Sequence, residues 1–518
     1  MLVDVASKTL LLRARYPEAI RKVLPGQTKL IDDRGHNIAI KHTLDATKIL
    51  RNMNVPAPSP IRYYYRWPGR YKPMAHQITT AEFLTLHRKA FVLNEMGTSK
   101  TASALWAMDF LMLLGRVKKC LVVAPLSTLE RVWLDEVFLW VMHRSAVVLH
   151  GSREKRLKLL DSDADIYVIN HDGLAVIADE IKDREDINLT IVDEAAAYRN
   201  GQNERYAVLK SVVAKEQMRL WLMTGTPCPN APTDAWALAK LVNPANVPTY
   251  FTSWKRQTMQ QVTTYKWVPR IGSSEMAYHA MQPAVRFRKR DCLDLPPVTY
   301  SKRTVPLTKE QELAYKQMRQ FMVAQAKTTP ITAVNAADQI GKLRQILCGV
   351  VKNPETNTYE EIPHQPRTNV LLECIEDASA KVIVVVPYKG IIKALEREVS
   401  KKHTCAVLNG DVPIKKRNEI ITAFLKSKAP HVLLCHPKVM SHGLNLIVAD
   451  TIVFYAPIYS NEDSQQVMDR ISRTGQKLPM TIIRLGACQL EWNIYNVVEG
   501  RRLTQESILE LYQQELQS

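Results

Sequence analysis

Short runs of apolar, mostly β-branched residues recur along the chain, and each is followed by a polar turn and a segment of helical length. This alternation is typical of parallel α/β units. The runs fall into two groups, so the pattern predicts two parallel sheets with a region that joins them. The predicted strands are 90–94, 120–124, 166–170, 189–193 and 220–224 in the first group and 381–386, 406–409, 432–435, 451–455 and 481–485 in the second.

The joining region, from about 229 to 342, is rich in Trp, Gln, Lys and Arg. It carries a basic run at 286–290, shortly before the prolines at 296–297. Because proline fixes φ, we interpret this region as a helical connection that ends in an extended segment. The basic run fits a plain solvated helix face as well as a functional surface, and the sequence leaves both interpretations open.

Length and charge narrow the class of protein. A chain of 518 residues is too long to fold around one hydrophobic core, so we expect several domains. With 46% apolar and 23% charged residues, its composition is that of an ordinary globular protein. The net charge of +19 indicates a polyanionic partner, for which nucleic acid, a ribosome or an acidic membrane would each suffice. Residues 1–72 hold fourteen Lys and Arg against five Asp and Glu, which predicts a basic nucleic-acid-binding appendage.

The cysteines and the apolar stretches indicate the cellular compartment in which we expect the protein. The eight cysteines are scattered without a CxxC pair, which favours reduced thiols in the cytosol. Asp4 and Lys8 interrupt what would have to be an apolar signal core, so we expect no export signal. We also expect no membrane helix, since no stretch approaches the roughly 18 apolar residues that one needs.

A candidate phosphate-binding loop follows the first predicted strand, in NEMGTSKTASALWAMDFLM. Gly97, Lys100 and Thr101 stand where a strand turns into a helix, an arrangement that aims backbone N–H groups at a phosphate. Lys100 would reach the terminal phosphates and Thr101 would bind Mg²⁺. Ser99 occupies a position where the usual pattern has glycine, and a serine fits there only with a negative φ or tolerated strain.

Two adjacent carboxylates end a later strand, in TIVDEAAAYRN. Asp193 suits a contact to magnesium and Glu194 suits activation of a water molecule. Taken alone, the pair could equally be a chance acidic turn. Its place after a phosphate loop is what an ATPase lobe requires.

The third element is QQVMDRISRTGQ in the second half of the chain. Gln466, Arg470 and Arg473 fall at helical or near-helical spacing. Two guanidinium groups on one face could stabilise charge on a γ-phosphoryl group, whereas a surface salt-bridge pair is the plain alternative. From the second α/β unit they would act only when the two lobes close.

These three elements in this order resemble the superfamily 2 helicases and translocases, and the segments between them are similar to the Swi/Snf-type branch. The family's DEMGxGKT corresponds to NEMGTSKT, and its PLSTLxxW to PLSTLERVW at 125–133. Its coupling segment LTGTPxxN corresponds to LMTGTPCPNAP at 222–232. Further matches lie at 295–297, 342–349, 407–412 and, most extensively, 441–476.

The resemblance implies an α/β fold with two RecA-like lobes. The domains would be a basic appendage (1–72), an ATP-binding lobe (73–242), a helical and basic connection (243–342), a second lobe (343–495) and a C-terminal helix (496–518). The implied ligands are ATP and Mg²⁺, and the implied partner is duplex, forked or branched DNA. We further expect a monomer that works with replication or recombination proteins, without a membrane partner.

The resemblance also assigns residues to roles. Glu194, Lys100, Arg470 and Arg473 would be catalytic, and Thr101 and Asp193 would hold Mg²⁺. Gln77 would recognise the adenine edge, because a carboxamide both donates and accepts hydrogen bonds. The remaining implied contacts are the nucleotide-binding residues Met96, Gly97, Thr98, Ser99 and Gly443, the coupling residues Thr224, Gly225 and Thr226, and the DNA-binding residues Ser127, Thr128, Ser441, His442 and Asn445.

Two departures from the family pattern matter. The family's DEAH or DEGH is DEAA here, and Ala196 removes the side chain that links the nucleotide site to the coupling segment. Coupling must therefore use another residue or be weaker. A two-tryptophan segment is replaced by APIYSNED, and the chain is compact, so it looks like a phage-encoded or bacterial member in a bacterial or phage-infected cytoplasm.

The function that this resemblance implies is an ATP-dependent DNA helicase or translocase in replication, recombination or repair. The alternatives are a catalytically weak DNA-binding or structural subunit, marked by Ser99 and Ala196, and an RNA helicase. The end of the appendage, IRYYYRWPGRYK, alternates aromatic and arginine side chains. It predicts either a module that recognises forked DNA or a brace that fixes the appendage to the first lobe.

Overall fold

The computed structural model describes residues 1–24, 28–29, 35–228, 231–262, 267–328, 333–353, 356–440, 445–498 and 514–515. The chain divides into two compact units, the first formed by residues 1–262 with 267–292 and the second by residues from 293 onward. Across the described ranges, no helix is long and apolar enough to cross a membrane.

The first unit is built on a parallel sheet of seven strands with the order β13-β5-β10-β9-β6-β8-β7. Every predicted strand of the first group is confirmed, within one to two residues at each end. A small antiparallel sheet, ordered β1-β2-β4-β3, and the pair β11-β12 complete the unit. The strands are Leu2–Asp4 (β1), Thr9–Leu12 (β2), Thr28–Lys29 (β3), Ile38–Lys41 (β4), Lys89–Val92 (β5), Lys119–Ala124 (β6), Ala146–Leu149 (β7), Ile166–Asn170 (β8), Ile187–Asp193 (β9), Arg219–Met223 (β10), Met259–Gln261 (β11), Trp267–Pro269 (β12) and Ala284–Val285 (β13).

Helices cover the large sheet, and its central strands are buried along their length because parallel strands are covered on both faces. Two apolar clusters result, with Phe91 in one and Trp106 in the other. The helices are Pro17–Val23 (α1), Leu44–Asn52 (α2), Ile61–Tyr64 (α3), Ala75–Leu86 (α4), Lys100–Leu113 (α5), Asp135–Trp140 (α6), Arg153–Leu160 (α7), Ala178–Asp183 (α8), Glu204–Val212 (α9), Ala235–Val242 (α10), Phe251–Thr258 (α11), Ser273–Ala280 (α12) and Lys289–Cys292 (α13).

Part of the aromatic run in the amino-terminal segment packs into this unit. The Tyr65 hydroxyl donates to Asp109 Oδ2 at 2.6 Å, and its ring lies 5.7 Å from that of Phe110. Trp67 meets Trp106 edge-on at 5.5 Å. These two aromatic side chains therefore pack the end of the appendage against α5, as a brace would, and recognition of forked DNA stays a prediction.

The second unit contains a parallel sheet of six strands with the order β14-β21-β20-β17-β19-β18, and a hairpin, β15-β16. The predicted strands of the second group are confirmed. The strands are Val298–Thr304 (β14), Val350–Lys352 (β15), Tyr359–Glu361 (β16), Lys381–Val385 (β17), Cys405–Leu408 (β18), Val432–Cys435 (β19), Ala449–Phe454 (β20) and Met480–Gly486 (β21). The helices are Lys309–Thr328 (α14), Ala333–Cys348 (α15), Gln365–Glu376 (α16), Lys389–Val399 (α17), Ile414–Lys426 (α18), Pro437–Met440 (α19), Asn461–Met468 (α20) and Gln489–Val498 (α21).

The joining region is less helical than predicted, because it supplies one edge strand to each large sheet. β13 pairs in parallel with β5, with Ala284 opposite Phe91, and β14 pairs in parallel with β21. Pairing with β5 keeps the backbone extended up to the basic run, where Arg286 and Arg288 are exposed and only the short α13 follows. The run is solvated, as the plain interpretation expects, but only Lys289 and Arg290 lie in a helix.

Candidate functional site

The predicted phosphate loop connects β5 to α5, and α5 begins at Lys100. Gly97 has φ +83° and Ser99 has φ +55° with ψ +50°. Of the two conditions set for a serine at this position, the structure meets the second, since the left-handed conformation is adopted and its strain is tolerated. The loop consequently leads into the amino terminus of a 14-residue helix, where unpaired backbone N–H groups gather.

Lys100 folds back over the loop that precedes it. Its Nζ donates to the carbonyl oxygens of Asn94 at 2.9 Å and Glu95 at 3.3 Å. Gly225 lies against the same loop, because a Cβ there would stand 2.8 Å from Met96 Cγ and 3.6 Å from Lys100 Nζ. The predicted coupling segment and the predicted phosphate loop are thus in direct contact.

Contacts from outside the loop fix its shape. Asn94 Nδ2 donates to Thr80 Oγ1 at 2.9 Å, and Asn94 Oδ1 accepts the backbone N–H of Phe287 at 3.0 Å. Buried His76 donates from Nε2 to the carbonyl of Thr98 at 3.1 Å, and burial lowers the pKa of this imidazole. The sequence analysis missed these supports, which join residues far apart in the chain and carry no local signal.

The two carboxylates stand at the end of β9. In the sheet, β10 lies between β9 and β5, the strand that precedes the phosphate loop. Asp193 Oδ2 accepts from Trp133 Nε1 at 3.2 Å, and Asp193 Oδ1 accepts the backbone N–H of Glu194 at 3.1 Å. Burial raises the pKa of the Asp193 carboxyl, and the positive charge of Lys100 opposes this rise. Trp133 belongs to the PLSTLERVW segment, but its contact with Asp193 was not predicted.

Glu194 has φ +54° and makes the link to the coupling segment. Thr224 Oγ1 donates to Glu194 Oε1 at 3.0 Å, and the same hydroxyl oxygen accepts the backbone N–H of Thr226 at 3.1 Å. Ala196 is buried in the short turn that follows and offers no polar atom from its side chain. The carboxylate of Glu194, and not the side chain at position 196, therefore contacts the predicted coupling segment.

Gln77 lies in the first turn of α4 and is buried. Its Oε1 accepts the backbone N–H of Met74 at 2.8 Å, so the side chain caps the helix. This leaves the adenine contact of Gln77 a prediction, and it gives the residue a structural role as well.

These residues fit ATP and Mg²⁺. Gly97 and Ser99 have positive φ angles, a backbone conformation that occurs in loops whose N–H groups bind anions. Thr101 follows Lys100 in the first turn of α5 and is partly buried, and Asp193 offers a carboxylate of the hard-oxygen type that Mg²⁺ prefers. In the described parts of the chain, no three His, Cys, Asp or Glu side chains gather as a metal-binding cluster.

The two predicted DNA-binding residues at 127–128 differ in their exposure to solvent. Ser127 is exposed, whereas Thr128 is buried and donates from Oγ1 to the carbonyl of Pro125 at 2.8 Å. Thr128 therefore shapes the turn, and Ser127 is the residue of the pair that presents a hydroxyl group at the surface.

In the second unit, α20 ends at Met468, so Arg470 and Arg473 lie in the turn after the helix and not on one helical face. Arg470 is fully buried and donates from Nε to the carbonyl of Met440 at 2.9 Å. Arg473 is partly buried and donates from Nε to the carbonyl of Asp469 at 2.9 Å. Gln466 is buried on α20.

The remaining predicted contacts of the second unit are divided between described and undescribed parts of the chain. Asn445 is exposed. Ser441, His442 and Gly443 lie outside the described residues.

Comparison with known proteins gives weak sequence identity over most of the chain. Protein p41 of Acyrthosiphon pisum secondary endosymbiont phage 1 is 24% identical over 78% of this chain and 90% of its own length. An uncharacterized ATP-dependent helicase of Mycoplasma genitalium is 24% identical over 76% of this chain. The DNA repair and recombination protein RDH54 of Saccharomyces cerevisiae is 24% identical over 72%. The chain spans 37% and 42% of the lengths of the last two proteins.

A solved structure, the Sulfolobus solfataricus SWI2/SNF2 ATPase core in complex with dsDNA, matches 87% of this chain and 97% of that chain with a TM-score of 0.41 and 20% identity. Residues 367–475 match the helicase conserved C-terminal domain. Residues 76–355 match the SNF2-related domain, which covers more than half of the chain. The chain therefore belongs to the SNF2-related, helicase-like ATPases of superfamily 2.

Proposed function

We propose that this chain is an ATP-driven translocase that moves along double-stranded or forked DNA in replication, recombination or repair. The observation that carries the proposal is the hydrogen bond between Thr224 Oγ1 and Glu194 Oε1. A motor must transmit the state of its nucleotide to the segment that moves, and this bond joins a strand-end carboxylate to a segment that also touches Met96 and Lys100.

The residues of the first unit have distinct proposed roles in hydrolysis. Bound Mg²⁺·ATP supplies the phosphoanhydride bond and a cation that neutralises charge on the phosphates. Lys100 would hold the terminal phosphates, and Thr101 and Asp193 would hold the metal. Glu194 accepts the proton of the attacking water, and Thr224 holds this carboxylate in position.

The arginines of the second unit are proposed to stabilise charge that develops on the γ-phosphoryl group. Arg473 is the stronger candidate for direct contact, because Arg470 is fully buried and holds the carbonyl of Met440. Arg470 then serves mainly to position the turn that carries Arg473.

DNA is proposed to bind through phosphate contacts that carry no sequence information. Ser127 and Asn445 are exposed and have neutral polar side chains of the kind that contact the DNA backbone. The net charge of +19 supports a polyanionic substrate, and the relationship to a DNA repair and recombination protein supports DNA. We place this activity in a bacterial or phage-infected cytoplasm.

Displacement of a third strand from a DNA triplex tests this proposal. The intact chain should release the strand from a duplex track in the presence of ATP but not with a non-hydrolysable analogue, because only stepping along the duplex removes it. Lys100→Ala should fail with either nucleotide. Release that is equally fast without hydrolysis, or none despite vigorous ATP turnover, would contradict translocation.

A further inference from the structure

A group of cations lies at the amino-terminal edge of the large sheet in the first unit, the edge opposite the phosphate loop. We name it the amino-edge patch, and its members are Lys48, Arg88, Arg116 and Arg219. Arg88 and Arg116 are exposed, Lys48 is half-buried, and Arg219 is buried. None of the roles proposed above uses any of these residues.

Backbone pairing brings two members of the patch together. Arg219 opens β10, and the next residue, Leu220, donates its N–H to the carbonyl of Arg88 at 2.8 Å. The Arg88 guanidinium in turn donates to the carbonyl of Glu216. The turn before β10 and the start of β5 therefore form one continuous surface.

The other two members reach the same edge from different elements. Asn188, the second residue of β9, donates from Nδ2 to the carbonyl of Arg116 at 3.2 Å. Arg116 forms an ion pair with Asp45 at 2.5 Å, which fixes α2 on this edge. Lys48 follows Asp45 by three residues on α2, so it lies on the same helical face.

The charges of the patch are not balanced by the carboxylates around it. Asp45 pairs with Arg116, and the exposed Glu216 is the other acidic residue at these contacts. Arg219 is 9% exposed, and its Nη1 has no hydrogen-bond partner among the described residues. Burial, together with the nearby Arg88 and Arg116, lowers the pKa of Arg219 to about 10.

The same neighbouring charges affect the pKa of Lys48. Burial is the main cause that lowers its pKa; the charges of Arg219, Arg116 and Arg88 add to the effect, and Asp45 opposes it. Like charges held this close are unfavourable in the absence of an anion. An anion bound at the exposed members of the patch would relieve that repulsion.

We propose that the amino-edge patch binds the phosphate backbone of a second nucleic-acid segment, separate from the segment on which the motor acts. Phosphates spaced along a polymer can contact exposed and half-buried cations from several elements at once and gain from counterion release. The opposite edge of the sheet carries the phosphate loop, so both sites can be filled together. The inference goes beyond the proposed translocation and does not depend on hydrolysis.

Bridging of two labelled DNA molecules by the full-length protein tests the patch. Donor-labelled and acceptor-labelled duplexes should show energy transfer when the wild-type protein is added. A parallel experiment replaces one duplex with single-stranded DNA, which shows whether the patch binds the backbone of duplex or of single-stranded DNA. The double variant Lys48→Gln, Arg88→Gln should lose the transfer. It should also lower the slope of log affinity against log salt by about 2, since two phosphate contacts are lost.

A matched control removes the same charge elsewhere. Arg397→Gln with Lys401→Gln, at exposed ion-paired positions of the second unit, should leave bridging and the salt slope unchanged. The phosphate release that duplex DNA stimulates is measured separately and should survive in both variants, so loss of motor activity and loss of the patch are told apart.

The proposal is overturned by absence of bridging in the wild-type protein, or by bridging and a salt slope that the patch variant leaves intact. Binding of poly-glutamate is also measured, as a probe for an acidic protein partner. If the variant loses binding of poly-glutamate but not of DNA, the patch belongs to an acidic protein and the nucleic-acid assignment is wrong.

Discussion

Ser99 and Glu194 both hold left-handed backbone conformations, with φ of +55° and +54°, and both border the candidate site. Residues other than glycine rarely adopt this backbone region, and each one that does destabilises the folded state by about 1–3 kcal/mol. Such strain persists where the surroundings fix the backbone, and here it lies in the predicted phosphate loop and at the proposed catalytic carboxylate. The conformation of Ser99 could not be predicted, because the sequence left open whether φ would be negative.

Ser99→Gly should stabilise the protein, because glycine adopts a positive φ without steric cost. We expect the free energy of unfolding in urea to rise by about 0.5–1 kcal/mol after the greater flexibility of glycine in the unfolded chain is subtracted. Ser211→Gly, inside α9, is the matched substitution and should destabilise the protein by a similar amount. Equal effects of both substitutions would show that Ser99 is not strained.

The buried carboxyl of Asp193 should make stability depend on pH. Burial raises its folded-state pKa above the unfolded value of about 3.9, so the folded state keeps the proton to a higher pH. Its contribution to stability is present below about pH 4 and is lost as pH rises through the folded-state pKa. Asp193→Asn should therefore flatten the fall in the free energy of unfolding above pH 4, measured in urea without Mg²⁺.

Asp186→Asn provides a control of opposite sign. Hydrogen bonding from Arg184 lowers the pKa of Asp186, so its contribution is present above the unfolded pKa and is lost as pH falls. Removing that carboxylate should reduce stability at neutral pH. If Asp193→Asn instead follows the parent protein at every pH, burial does not control the Asp193 carboxyl.

At the scale of elements, burial determined which strands could be predicted. β6, β8, β9 and β10 are buried on both faces and therefore consist of continuous apolar runs. β14, with the sequence VTYSKRT, is mostly exposed at a sheet edge, and its polar sequence concealed a strand. β13 has only two residues, too few for any pattern.

The candidate site divides in the same way. From local sequence, Lys100 could be placed at the start of a helix, and Asp193 and Glu194 at the end of a strand. Their partners Trp133 and Thr224 could not, because tertiary packing creates those contacts. The turn that holds Arg470 was also missed, since the spacing of polar residues continues past the end of α20.

Thr224→Val tests the link between β10 and the strand-end carboxylate. The substitution keeps the shape of the side chain but removes the hydroxyl that donates to Glu194, so Glu194 loses its orientation. We expect kcat for ATP to fall about 10- to 100-fold, equivalent to about 1.4–2.7 kcal/mol, with KM nearly unchanged.

A buried threonine on the neighbouring strand is the control for this prediction. Thr190 lies on β9, and its hydroxyl contacts the sulfur of Met218 at 3.4 Å. Thr190→Val should leave kcat close to that of the parent protein. Loss of ATP affinity in Thr224→Val, in place of a loss of kcat, would mean that the hydroxyl positions the phosphate loop and not Glu194.

At the scale of the whole molecule, the first unit carries the predicted phosphate loop and the strand-end carboxylate pair, and the second unit carries the two arginines. Membership of the SNF2-related ATPases accounts for their order along the chain. We propose that these residues serve ATP hydrolysis and that this hydrolysis drives movement on DNA.

The most direct test is phosphate release by the full-length protein with and without duplex DNA, with duplex RNA as the comparison. We predict that duplex DNA stimulates release, that Lys100→Ala abolishes both turnover and tight ATP binding, and that Glu194→Gln abolishes turnover while it retains ATP binding. These results follow because Lys100 contacts phosphate whereas Glu194 mainly accepts a proton. Turnover that duplex DNA leaves unchanged, or full hydrolysis by Glu194→Gln, would contradict the account.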